Sequence, residues 1–220
     1  VSPRADRAPD RTLKVSLTID LTGQVAIVTG GGKGVGHGIT ERFLEAGADV
    51  VICGRSEPEE LPHAGGRAAS FVAADVRDPD QIDGVVKAAT ERFGRLDVLV
   101  NNAGGAPFVD AATVSPRFTE KIIALNLIAP INFAQRANAV MQQQDTGGSI
   151  VSIASVSGTR PSPGTAAYGA AKAGLLSATR SLAVEWAPKV RLNAVVAGMV
   201  RTEQAHLHYG DEAAIARVSA

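Results

Sequence analysis

The chain has 220 residues, 45% of them apolar and 20% charged, with 22 Lys plus Arg against 22 Asp plus Glu. That is enough apolar material for a sizeable core and excludes a disordered chain, while a balanced charge gives no reason to expect nucleic acid or an anionic membrane as a partner. No stretch reaches the roughly 18 uncharged apolar residues of a membrane span, the N-terminal stretch has no signal-peptide core, and the lone Cys53 excludes an internal disulfide, so a cytoplasmic protein is expected.

Residues 1–19 carry Arg4, Arg7, Arg11 and Lys14 among Pro, Asp and Ala, which reads as a flexible tail; residues 20–220 read as a single domain. Residues 25–28 are a short apolar run, 29–36 are rich in glycine, and 39–46 show helical apolar spacing that stops at Gly47. Strand, glycine loop and helix in that order open a βαβ unit. A second strand is expected over 49–53, with Cys53 as a small buried hydrophobe. The connection 56–66 is too broken by Pro and Gly for a long helix. A third strand follows at 69–73, and Pro79 then starts a helix that stops at Gly94. A fourth strand at 96–100 leads into Asn101-Asn102-Ala103-Gly104. A long helix is expected over 115–143, a fifth strand over 150–153, a helix carrying Tyr168, and a sixth strand over 190–196. Near-continuous apolar strands alternating with helices predict an α/β fold with a parallel sheet covered on both faces.

Two stretches carry chemistry. In Thr29-Gly30-Gly31-Gly32-Lys33-Gly34-Val35-Gly36, glycines let the backbone turn tightly and approach a pyrophosphate, and the N–H groups at the start of the following helix favour the phosphate charge. Tyr168 and Lys172 stand four apart in an alanine-rich segment, hence on one helix face one turn apart. A neighbouring ammonium lowers a tyrosine pKa from about 10, so such a pair can exchange a proton near pH 7. Ser155 ends a strand-like run, and a loop with Gly158, Pro161, Pro163 and Gly164 can fold its hydroxyl back over that face. No metal site is expected.

Together these residues resemble the short-chain dehydrogenase/reductase family in its single-domain, nicotinamide-dependent form. The family's T-G-x-x-x-G-x-G loop is matched by Thr29, Gly30, Gly34 and Gly36, its N-N-A-G segment by Asn101 to Gly104, and its Y-x-x-x-K pair by Tyr168 and Lys172, with Ser155 at the usual distance upstream. Asn126 matches the fourth catalytic position, and Asp75-Val76 the pair that contacts adenine. The resemblance implies a Rossmann-type doubly wound sheet of six strands and a hydride-transferring oxidoreductase acting on a carbonyl or secondary alcohol. Tyr168 would then be the acid/base, Lys172 its activator and a ribose contact, Ser155 a hydrogen bond to the reacting oxygen, and Asn126 the residue that kinks its helix and holds a water. A cofactor site is implied along Gly30, Gly32, Lys33, Gly34, Val35 and Gly36, then Arg55, Ser56, Asp75, Val76, Asn102, Ala103 and Gly104, with Tyr168, Lys172, Gly198, Val200 and Thr202 towards the nicotinamide. The substrate pocket would be lined by 105–109, 157–163 and the segment after Met199.

Each matched position also has an idle reading: Asn101 and Asn102 as strand-closing side chains, Asp75 as a cap, Asn126 as a satisfied polar group in a helix interface. Two features depart from the family pattern. Ala197-Gly198 stands where Pro-Gly is common, and only 18 residues follow Thr202, where the family continues with a helix and a seventh, edge strand. That second departure leaves a low-activity nucleotide-binding regulatory or scaffold subunit as the alternative to an enzyme. NADP(H) is expected over NAD(H), because Cys53-Gly54-Arg55-Ser56 has no acid at the second strand end, Arg55 can grip a ribose phosphate, and Lys33 adds a second positive charge. The small residues of the Tyr168 helix, with Phe118, Ile122, Leu125, Phe133 and Val140 on the long helix, suggest a homodimer or homotetramer built on those two helices.

Overall fold

Six of the apolar runs pair into one parallel sheet. The computed structural model describes residues 19–203, so most of the expected tail lies outside the described residues. The strands and helices follow in order: β1 Val25–Thr29, α1 Gly34–Glu45, β2 Asp49–Gly54, β3 His63–Ala64, β4 Arg67–Ala68, β5 Ser70–Ala73, α2 Pro79–Phe93, β6 Val98–Asn101, α3 Pro116–Ile123, α4 Ala129–Met141, β7 Gly148–Ser155, α5 Ala166–Glu185 and β8 Val190–Ala197. The sheet order is β5-β2-β1-β6-β7-β8. Every residue of β1 is buried, which is why it reads as unbroken apolar rather than alternating. Val25 and Ile27 face one core layer, shared with Val85 of α2 and Phe133 and Met141 of α4; Ala26 and Val28 face the other, with Leu44 of α1. The chain runs from β1 outward to β5, then crosses back to β6 on the other side of β1. That reversal opens a crevice at the C-terminal ends of β1 and β6.

Local signals set most boundaries. Asp78 caps α2 by accepting the N–H groups of Asp80 and Gln81, and Gly94 ends it in the left-handed region at φ 76°, a conformation that favours glycine. The cap is thus Asp78, and Asp75 has other partners. In the broken connection, Gly65 and Gly66 take φ of 58° and 74° and turn a two-residue hairpin, β3 against β4, which the sequence pattern does not reveal.

The single long helix expected over 115–143 is corrected. A π-helical segment, Ala124–Ile128, separates α3 from α4. Pro130 has no N–H for the carbonyl four residues back, at Asn126, and the Ala129 N–H reaches five residues back to Ala124. Two of the five residues expected at an interface on the long helix are corrected too. Ile122 is 7% exposed and Phe133 1%, so both belong to the core of this chain. Among the described residues, no helix is long and apolar enough to cross a membrane, and no cluster of His, Cys, Asp and Glu could hold a metal ion.

Candidate active site

At the end of β1, one hydroxyl ties two loops together. Thr29 Oγ1 accepts the N–H groups of Asn102 and Ala103, both at 2.9 Å, and the Asn102 side-chain amide donates to the Thr29 carbonyl at 2.8 Å. Asn101 donates to the Pro130 carbonyl. Both side chains thus make bonds to the main chain, but only Asn102 shapes the glycine loop, while Asn101 ties the end of β6 to α4. That loop is closely packed: a Cβ on Gly36 would stand 2.3 Å from the Gly30 carbonyl oxygen, and one on Gly31 would stand 2.5 Å from Ile52 Cγ2. Gly32 lies against Pro58.

The start of α1 receives an anion from within the chain. Its N-cap Lys33 makes no side-chain cap bond and its first turn has no acid, so its N–H groups need outside acceptors. The Gly34 N–H donates to Glu203 Oε1 at 2.8 Å, and Thr202 Cγ2 lies 3.7 Å from where a Gly34 Cβ would be. A carboxylate in this position shows that loop and helix end present donors to negative charge, and a dinucleotide pyrophosphate fits the same chemistry. Val35 follows, half-buried, in the first turn.

From this loop a cleft of about 200 Å³ extends over the ends of β2 and β5, lined by Gly30, Gly54, Arg55, Asp75, Val76, Arg77 and Ala103 among others. Arg55 and Ser56 are exposed. The Arg55 and Lys33 side chains have no hydrogen-bond or ion-pair partner among the described residues. Asp75 accepts from Arg77, and chiefly that bond holds its pKa down to about 2.

The second cluster lies across the crevice. Lys172 is only 4% exposed; its Nζ donates to the Ile153 carbonyl at 2.8 Å and stands 5.6 Å from the centre of the Tyr168 ring. Burial pushes its pKa down to about 8, so it is still mainly a cation at pH 7. Asn126, in the π segment, is wholly buried. Its Oδ1 accepts from Gly105 N at 2.8 Å, and its amide donates to the carbonyls of Gly105 and Ile122, both at 3.0 Å. Gly104 closes over the pair: a Cβ there would be 2.7 Å from Asn126 Oδ1 and 3.3 Å from Lys172 Nζ. Ser155 ends β7 and caps the short turn Val156–Gly158, accepting from Ser157 N. That turn sits directly on α5, because a Cβ on Gly158 would be 2.8 Å from Ala173 N and one on Gly169 would be 2.8 Å from the Ser157 carbonyl oxygen.

Most of the residues singled out in the sequence therefore gather at the C-terminal ends of the strands. Gly198 and Val200 are exposed on the segment leaving β8, and Thr202 reaches the glycine loop. Sequence reasoning missed Arg77, whose only signal is a cation two residues past Asp75, and Glu203, which meets Gly34 across 169 positions and leaves no local trace. Of the interface residues proposed on the Tyr168 helix, Gly174 is in contact with Leu127 of the π segment, while Ala166, Ala170 and Ala173 are exposed.

Sheets of this strand order bind dinucleotides where the order reverses, which places the chain in the class of doubly wound dinucleotide-binding α/β proteins. A family model described as short chain dehydrogenase matches residues 24–212. An uncharacterized oxidoreductase of Mycobacterium tuberculosis is 37% identical over 187 residues, covering 83% of this chain and 71% of that protein. Galactitol 2-dehydrogenase of Agrobacterium fabrum is 34% identical over 83% of this chain and 73% of its own length. Among solved structures, the aldohexose dehydrogenase of Thermoplasma acidophilum superposes with a TM-score of 0.80 at 29% identity, covering 91% of this chain and 77% of that one. The chain belongs to the short-chain dehydrogenase family, oxidoreductases that act on CH–OH groups with NAD(P)(H).

Proposed function

We propose that the protein transfers a hydride between NADP(H) and a carbonyl or secondary alcohol, with Tyr168 as acid/base, Lys172 as its activator, and Ser155 and Asn126 in support. The observation that carries this reading is the buried Lys172 ammonium one helical turn from Tyr168, enclosed by Gly104 and Asn126. When bound, the nicotinamide supplies or accepts the hydride. Tyr168 gives its proton to the substrate oxygen during reduction, the Lys172 charge favours the resulting phenolate, and the Ser155 hydroxyl bonds the same oxygen. Both Asn126 amide hydrogens are committed to carbonyls, so any water it holds is bound through oxygen lone pairs.

Gly30, Gly32, Lys33, Gly34, Val35 and Gly36 would hold the pyrophosphate, Asp75 and Val76 the adenine, and Asn102 to Gly104 with Gly198, Val200 and Thr202 the nicotinamide side. NADP(H) is favoured by the lack of an acid at the end of β2 and by Arg55 lining the cleft and Lys33 in the glycine loop, neither of them paired among the described residues. One charge-assisted phosphate contact is worth about 1.5–3 kcal/mol, tenfold or more in affinity. The names of the relatives support polyols and aldoses as the first compounds to try. Exposed Ala166, Ala170, Ala173 and Val184 on α5, with exposed Ile128 on the π segment that packs beside it, support a homodimer or homotetramer, which light scattering reads directly. One catalytic domain over 20–220 and a cytoplasmic location belong to the same reading.

The test is reduced-cofactor absorbance over a panel of polyols, aldoses and ketones, run with both dinucleotides on the parent and on Tyr168→Phe and Arg55→Ala. Tyr168→Phe should abolish turnover and leave dinucleotide affinity intact; turnover within tenfold of the parent, about 1.4 kcal/mol of barrier, would sink the assignment. Arg55→Ala should erase the preference for NADP(H).

A further inference from the structure

Three charged side chains line the adenosine side of the cleft: Arg55, Asp75 and Arg77. Two cations and one acid leave a net charge of +1, and how they pair decides whether any cation is available to a ligand. β2 and β5 are parallel neighbours, with Gly54 beside Ala73 in register. Arg55 and Asp75 therefore leave adjacent strand ends and attract one another across the cleft.

We propose that Arg77 is a positioning residue which, by clamping Asp75, keeps the Arg55 guanidinium unpaired and free to receive a phosphate monoester on the ribose; this rests on the NADP(H) reading above. The clamp is a fork. The Arg77 backbone N–H and Nε donate to Asp75 Oδ1 at 3.0 and 2.9 Å, and Nη2 donates to Oδ2. A planar guanidinium matches a carboxylate in this two-point manner, which a lysine does not. The main chain that carries the carboxylate is also held, since the Asp75 backbone N–H donates to Gln81 Oε1 at 2.8 Å and Gln81 Nε2 donates to Asp78 Oδ2 at 2.8 Å. With Arg77 in place Asp75 is largely neutralised locally, and Arg55, though still attracted to it, makes no hydrogen bond or ion pair among the described residues. Without it, Asp75 and Arg55 are the only charges on this wall, and they cancel each other.

The partly exposed pair contributes little to stability, so variants at these positions should fold. The experiment is calorimetric titration of the full chain with NADP+ and with NAD+, for the parent, Arg77→Gln, and the double variant Arg77→Gln/Asp75→Asn. The ratio of the two affinities should fall at least fivefold in Arg77→Gln and return to within twofold of the parent in the double variant, where the acid that captures Arg55 is gone. A parent without preference overturns the NADP(H) reading and this proposal with it. A parent with a preference that Arg77→Gln leaves unchanged overturns this proposal alone. So does an equal loss of both dinucleotides, or a fallen ratio that the second substitution does not restore, because a purely structural role would give those results.

Discussion

Replacing Gly158 by alanine should separate the turn that carries Ser155 from the helix that carries Tyr168 and Lys172. The added Cβ would stand 2.8 Å from both Ala173 N and the Lys172 carbonyl carbon, where ordinary contact begins at 3.4 Å. Those atoms are helix backbone and cannot swing aside, so the turn must retreat by roughly half an ångström or more. Gly158 does not have a positive φ, so the effect is one of space alone. Overpacking of this kind costs about 1–3 kcal/mol, which for a chain of this size lowers the melting temperature by about 2–12 °C. Misplacing a reacting group by about 1 Å costs on the order of a hundredfold in rate, so a kcat reduced by about 10- to 100-fold is expected, equivalent to about 1.4–2.7 kcal/mol of barrier. Dinucleotide affinity should change by less than about threefold, since the glycine loop lies on other elements. The assay is steady-state turnover with the best substrate of the panel, together with thermal melting. A kcat within threefold of the parent at an unchanged melting temperature would show that this contact does not set the position of Ser155.

Two further outcomes follow from charge. Burial holds the Lys172 pKa at about 8 instead of 10.5, so below pH 8 folded and unfolded chains are both protonated there, while between about 8 and 10.5 only the unfolded chain keeps the proton. Parent stability should therefore rise with pH across that window, by about 3 kcal/mol in all; urea midpoints for Lys172→Met should lack the rise, and parallel pH profiles for both proteins would refute it. Glu203→Gln removes the anion at the start of α1, so melting without ligand should fall by a few tenths to about 1 kcal/mol, while dinucleotide binding tightens about two- to fivefold because nothing negative competes for the Gly34 N–H. Changes of the same sign in both measurements would refute that exchange.

Order and type of the main elements are legible in the sequence because their causes are local. Unbroken apolar strands such as 25–28, Pro79 at a helix start, Gly94 at its end and the four-residue step from Tyr168 to Lys172 act within a turn or two of chain. The matched motifs are legible for the same reason, each lying at the end of a strand that the sheet then brings beside the others. What needed the tertiary structure was set by partners far away in the chain or by burial. The break in the long helix comes from Pro130 together with the packing of Asn126 against Gly105, and no apolar periodicity marks it. An apolar helical stripe announces that Ile122 and Phe133 will be covered, but not whether by their own chain or by a second one; the fold buries both within this chain, Phe133 in the core cluster that includes the sheet. The depressed Lys172 pKa arises from enclosure by Ile153, Gly104 and Asn126. The Glu203 carboxylate reaches Gly34 because the segment leaving β8, at the edge of the sheet, crosses back to the loop that follows β1.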